Sequence, residues 1–130
     1  MTVKTLDHVN IQTRDMAGTI AFYADLLGLV AKTAPQRRPE HRQWLYAGDR
    51  AVIHLNLFGT DNTYKREVMP GAPTGAIHHI AFECEGLDDT LARIAARGLR
   101  YERNELPEIS LTQLFVVDPN NVLLELNFRY

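Results

Sequence analysis

Four side chains able to ligate a metal or carry a proton recur at one spacing in this 130-residue chain: His8 with His79, and His54 with Glu125, each pair 71 positions apart. A neutral imidazole offers a ring-nitrogen lone pair and a carboxylate offers two oxygens. Two or three histidines with one glutamate therefore suit iron, zinc, nickel or manganese and leave coordination positions open for a substrate. The same groups serve as general acids and bases. The residues around them follow the same offset. Leu6-Asp7-His8-Val9-Asn10-Ile11 falls on Ile77-His78-His79-Ile80-Ala81-Phe82, and Trp44-Leu45-Tyr46 falls on Phe115-Val116-Val117. Val52-Ile53-His54-Leu55-Asn56 falls on Leu123-Leu124-Glu125-Leu126-Asn127. Three strand-like segments keeping one offset mark a duplicated module.

Each copy reads β-α-β-β-β, an α+β chain of two βαβββ modules. Leu6 to Gln12 and Ile77 to Glu83 alternate with period two and open the copies as strands. Asp15 to Leu27 puts Ile20, Tyr23, Leu26 and Leu27 at helical spacing before Gly28. Leu87 to Arg97 does the same, with Leu91, Ile94 and Ala95 inward and Gly98 as its stop. The remaining strand segments are Leu29 to Thr33, Gln43 to Ala47, Ala51 to Phe58, Arg100 to Asn104, Leu111 to Val117 and Val122 to Phe128. Gly48-Asp49 and Asp118-Pro119-Asn120-Asn121 carry turn chemistry for hairpins. The reading is one domain over 1–130: module one 1–58, a linker at 59–75 with a helical turn around Tyr64 to Val68, and module two 76–130.

Strand periodicity assigns faces. Val9 and Ile11 share one face and His8, Asn10 and Gln12 the other. Val122, Leu124, Leu126 and Phe128 form an apolar face, so Glu125 and Asn127 point the opposite way. A carboxylate on an inner strand face needs a cation or hydrogen bonds to hold it there. His78 adjoins His79 and points to the other face, as a structural or supporting residue, while His41 sits in the polar Arg37 to Arg42 stretch as a solvated loop residue, with contact to substrate the alternative. Asn10, Trp44, Asn56, Gln113, Phe115 and Asn127 share the ligand face or its repeat equivalent. They are candidate substrate contacts, or filler between the strands.

Composition limits the partners. The net charge is -2, from 14 basic and 16 acidic residues mixed along the chain, which gives no field to gather phosphate backbones or lipid headgroups. Nucleic acid and membrane are thus not expected. The single cysteine, Cys84, reads as a buried thiol and cannot form an internal disulfide. With an alternating first strand rather than an apolar leader, the expectation is a cytoplasmic protein. Exposed sheet edges favour a homodimer.

Leu6-Asp7-His8-Val9-Asn10-Ile11, Phe22-Tyr23-Ala24-Asp25-Leu26-Leu27-Gly28-Leu29, His78-His79-Ile80-Ala81-Phe82 and Phe115-Val116-Val117-Asp118-Pro119-Asn120-Asn121 leading to Glu125 carry a family resemblance. Over nearly its whole length the chain resembles the glyoxalase, bleomycin-resistance and extradiol-dioxygenase group, the vicinal-oxygen-chelate superfamily. That resemblance implies an eight-stranded open barrel-like sheet around a metal cleft, with the helices outside. It implies one divalent metal per site on His8, His79 and Glu125, with His54 an additional ligand as in some branches, or a strand histidine bonded to a neighbour. It also implies a small oxygenated substrate bound through vicinal oxygens, with Glu125 and His54 as catalytic groups. The branches differ around the metal. Glyoxalase I typically has Glu where this chain has His54, extradiol dioxygenases a tyrosine where it has Phe115, and fosfomycin-modifying transferases a threonine where it has Asn10. Isomerase or lyase chemistry is the favoured expectation; a ring-cleaving dioxygenase and a non-catalytic drug-binding resistance protein are the alternatives.

Overall fold

The structure is a computed structural model and describes residues 1–35, 37–62 and 64–130. The chain divides into two compact units: Met1–Ala24 with Gly28–Pro70, and Asp25–Leu27 with Gly71–Tyr130. Each module contributes one four-stranded mixed sheet, so the βαβββ order appears twice.

In the first module the elements are β1 (Val9–Thr13), α1 (Met16–Leu27), β2 (Val30–Thr33), β3 (Arg42–Ala47) and β4 (Arg50–Leu57), and the sheet runs β1-β4-β3-β2. Asp15 caps α1 by accepting the Gly18 N–H at 2.9 Å. The cap lies so close that a Cβ on Gly18 would come within 2.1 Å of the Asp15 carboxylate. The buried stripe of α1 is Thr19, Phe22, Tyr23 and Leu26, whereas Ile20 and Leu27, expected inward, are only half-buried. A threonine can lead that stripe because its hydroxyl is satisfied by Thr13 Oγ1 at 3.0 Å.

The second module has β5 (Ile80–Cys84), α2 (Leu87–Ala96), β6 (Glu102–Leu106), β7 (Leu111–Val117) and β8 (Leu123–Arg129), in the order β5-β8-β7-β6. Thr90 and Ile94 are the buried residues of α2, and Ala95, expected inward, is exposed. Here too a threonine hydroxyl makes burial tolerable, donating to the Gly86 carbonyl at 3.0 Å. The β7–β8 turn is tied by Asp118, whose Oδ1 accepts the N–H groups of Asn120 and Val122, each at 2.8 Å.

The repeat governs register. Val9 pairs with Ile53 as Ile80 pairs with Leu124, and Trp44 lies opposite His54 as Phe115 lies opposite Glu125. Both opening strands start three residues later than expected. Residues 58–79 hold no helix or strand among those described, and Thr63 of the expected linker lies outside them. The expected turn around Tyr64 to Val68 is not helical. Residues 64–69 are exposed and present no face whose burial would offset the cost of nucleating a helix. Among the described residues no helix is long and apolar enough to cross a membrane.

Candidate functional site

Strand alternation gives each sheet one well-buried face and one that is less so. On β8, Leu124, Leu126 and Phe128 are buried, leaving Glu125 and Asn127 on the opposite face, as their spacing predicts. On β4, Ile53 and Leu55 are buried and His54 lies opposite them. The candidate ligands therefore occur as two pairs, one per unit. Among the described residues no three His, Cys, Asp or Glu side chains gather to hold an ion.

In the first unit the pair is His8 and His54. Their rings stack with centroids 3.6 Å apart and planes 11° from parallel. Trp44 covers the His54 ring as well, at 4.2 Å and 10°. Burial, and then the neighbouring His8, push the His54 pKa down, with Asp7 opposing them, which favours neutral imidazole. His8 Nδ1 donates to the Asp7 carboxylate at 2.5 Å, and that bond holds the Asp7 carboxyl below its ordinary range. A carboxylate on Nδ1 fixes the ring's tautomer and leaves the Nε2 lone pair outward, as in histidines that ligate metals. Across the sheet, Lys32, Trp44, His54 and Asn10 share one row of register partners. Asn56 is buried and donates to Asn62 Oδ1 at 2.6 Å.

In the second unit the pair is His79 and Glu125, with Nε2 and Oε1 3.6 Å apart. Glu125 is 15% exposed and the His79 side chain 36%. A chain of amides fixes the carboxylate. Asn104 Nδ2 donates to Gln113 at 2.8 Å, Gln113 Nε2 to Asn127 at 3.1 Å, and Asn127 Nδ2 to Glu125 Oε2 at 2.9 Å. The far oxygen is thus held while the near one faces His79. Phe115 stands directly opposite Glu125 and is half-buried. His78, expected to face away from His79, instead sits with its Nδ1 2.9 Å from the Nδ1 of His79. Strand alternation does not apply before β5 begins at Ile80.

Two ligands held about 2.0–2.2 Å from one ion lie roughly 3 to 3.5 Å apart. The His79–Glu125 separation is close to that spacing, and the donor set, imidazole nitrogen and carboxylate oxygen, fits a divalent transition metal. One feature escaped the sequence reading. Arg37, Arg38, His41 and Arg42 line a cleft of about 810 Å³ together with Thr60 and Asp61, so His41 is not simply a solvated loop residue. The sole hint was the run of basic residues itself.

Comparison with known proteins agrees with this architecture. A glyoxylase I 4 of Arabidopsis thaliana is 28% identical over 128 residues, covering 94% of this chain and 69% of the relative. An integron cassette protein from the mobile metagenome of V. cholerae superposes with a TM-score of 0.77 at 21% identity, over 100% of this chain and 98% of that one. A fosfomycin resistance protein from Listeria monocytogenes, solved as a glutamate-to-glutamine mutant with manganese(II) and dihydroxypropylphosphonic acid, does so at 0.67 and 18%, over 96% and 90%. Residues 5–126 match the model of the Glyoxalase/Bleomycin resistance protein/Dioxygenase superfamily, and the chain belongs to that family.

Proposed function

We propose that this chain is a divalent-metal-dependent enzyme acting on a small oxygenated substrate, with isomerase or lyase chemistry. Its metal ligands in this reading are His8, His79 and Glu125, and its two modules act as one functional domain. The observation that carries it is the His79–Glu125 pair at 3.6 Å, with the second carboxylate oxygen already held by Asn127. A ligand oriented by its own hydrogen bonds loses little freedom on binding an ion. The manganese complex of the fosfomycin resistance protein supports a divalent ion in this fold. Bound there, the ion supplies Lewis acidity toward vicinal substrate oxygens.

The histidine pair divides its work. An imidazole lone pair lies in the ring plane, so two rings 11° from parallel and 3.6 Å apart do not aim at one point. His8 is the ligand of the two, because Asp7 orients it. His54, clamped between Trp44 and His8, is placed to take a proton from substrate or return one. Glu125 is the second proton-handling group. Phe115, opposite Glu125, brings no hydroxyl, which favours proton transfer between adjacent carbons over ring cleavage. We further propose a cytoplasmic homodimer, with the ligands of one site drawn from one chain or from two.

Metal analysis of protein purified without chelators is the test. About one divalent ion per chain is expected, falling below about a tenth in His79→Ala and Glu125→Gln. Full occupancy in both variants removes these residues from the metal. Reconstitution with iron(II), nickel, manganese and zinc then separates the chemistries: isomerisation of 2-oxoaldehyde thiol adducts is expected, and oxygen-dependent catechol cleavage with iron(II) alone would reverse the assignment.

A further inference from the structure

The basic cleft of the first unit is built rather than incidental. Its walls are the β2–β3 connection and the segment following β4, and one residue fastens them together. The Arg42 guanidinium donates to the His41 carbonyl at 3.1 Å, to the Thr60 hydroxyl and to the Asp61 carbonyl. His41 in turn accepts the Leu57 N–H at 2.9 Å, and the Thr60 hydroxyl donates to the Leu57 carbonyl at 2.6 Å. Among the described residues the acceptors of Arg42 are neutral oxygens. Its charge is therefore oriented but not cancelled by a contacting carboxylate. Burial, and then the nearby Arg37 cation, lower the Arg42 pKa, and Asp61 only partly compensates.

Among the described residues three arginines and one aspartate line this space, an excess of positive charge in a cleft of about 810 Å³, a volume suited to a small molecule. Arg38 is also paired with Glu40 at 2.7 Å, but both side chains are largely exposed and the pair is weak. Arg42 lies opposite Asn56, and Trp44 lies opposite His54 two residues further along the same strands. Two residues span about 7 Å, so the cleft opens about one small-molecule length from the stacked rings.

We propose that this cleft binds the anionic oxygens of a small molecule, a carboxylate or a phosphate group, and that this anion is the tail of the substrate whose other end lies over Trp44 and His54. The second clause rests on the function proposed above; the first does not. Arg37 and Arg38 supply the charge. Arg42 holds the two walls at their spacing and adds its field.

Calorimetric titration of the full chain with inorganic phosphate and, separately, with succinate tests this, at constant ionic strength set with chloride so that general screening cancels. Saturable binding of at least one anion is expected, with Kd rising about tenfold or more in the Arg37→Gln/Arg38→Gln double variant. These side chains are exposed, so the fold should survive, and an unchanged circular dichroism spectrum verifies it. Binding that persists in Glu125→Gln keeps the anion site whatever becomes of the metal assignment. Loss of binding in Glu125→Gln with retention in the double variant would place the anion on the metal and overturn the proposal. So would the absence of binding by wild type at 10 mM (roughly Kd above the millimolar range) while metal occupancy is normal.

Discussion

The two modules share a strand register yet place different chemistry on it. At the row where module one carries Lys32, Trp44, His54 and Asn10, module two carries Glu102, Phe115, Glu125 and Ala81. Two residues along β3 and β4, on the same face, Arg42 lies opposite Asn56, and its repeat equivalent is Gln113 opposite Asn127. Module one thus holds an aromatic stack beside a basic cleft. Module two holds a carboxylate positioned by neutral amides. Duplication supplied one scaffold, and the side chains then diverged: one copy orients a carboxylate, the other presents cations and flat rings.

Exchanging the arginine for its repeat equivalent is the sharpest way to break that contrast. Arg42→Gln would give module one the amide pair of module two, but one amide cannot reach His41, Thr60 and Asp61 together. Hydrogen bonds to a charged group are worth about 1.5–3 kcal/mol each, and part of that is recovered by water at this half-buried position. The expected loss is about 2–3 kcal/mol of unfolding free energy, read from the urea midpoint. A change below about 0.5 kcal/mol would mean that Arg42 does not fasten the cleft walls.

A smaller effect is expected from the other side of the comparison. Asn127→Ala leaves Glu125 Oε2 without its donor while keeping the carboxylate and its neighbour His79. Losing such an orienting partner typically weakens metal binding about 10- to 100-fold, or roughly 1.4–2.7 kcal/mol. Competition with a chromophoric chelator measures this directly. Equal affinities for the variant and wild type would show that the amide chain orients nothing.

The alternation of Leu124, Leu126 and Phe128 against Glu125 and Asn127 was legible in the sequence, because a half-buried strand writes its faces with period two. So was the duplication, since the offset relating His8 to His79 recurs in the strand ladders. Strand starts were not. The alternation runs on from Leu6, but β1 gains its partner only where Val9 meets Ile53, and before that Arg50 holds the Leu6 carbonyl at 3.2 Å. Pairing is a tertiary event that local pattern does not encode. The helix stripes were misplaced for a related reason: Thr19 and Thr90 read as polar, and only the fold reveals the oxygens that satisfy them. The cleft was missed because Arg37, Arg38 and Arg42 meet Thr60 and Asp61 only through the β3–β4 hairpin. The two-ring stack on His54 is equally non-local, joining residues from three separate segments.

The mildest effect should come from Cys84, in a strand of module two that has no counterpart thiol in module one. Its Sγ donates weakly to the Phe82 carbonyl at 3.6 Å, and burial pushes the thiol pKa up from 9.0 to about 11. The folded state therefore keeps this proton at a pH where the unfolded chain releases it. Below pH 9 both states are protonated and the group contributes its full stability. Between 9 and about 11 the unfolded state alone loses the proton, so that stability declines as pH rises. Cys84→Ala removes the titrating group. The wild-type advantage over the alanine variant in urea should accordingly shrink between pH 8.5 and 10.5, by about 1 kcal/mol or less once partial exposure of the thiol is allowed for. Alkylation by iodoacetamide at pH 8 should be slow in the folded protein and fast in urea, because the thiolate is the reacting species. Rapid alkylation of the folded chain, or a stability difference that does not change with pH, would show that the thiol is not held in its protonated state by burial.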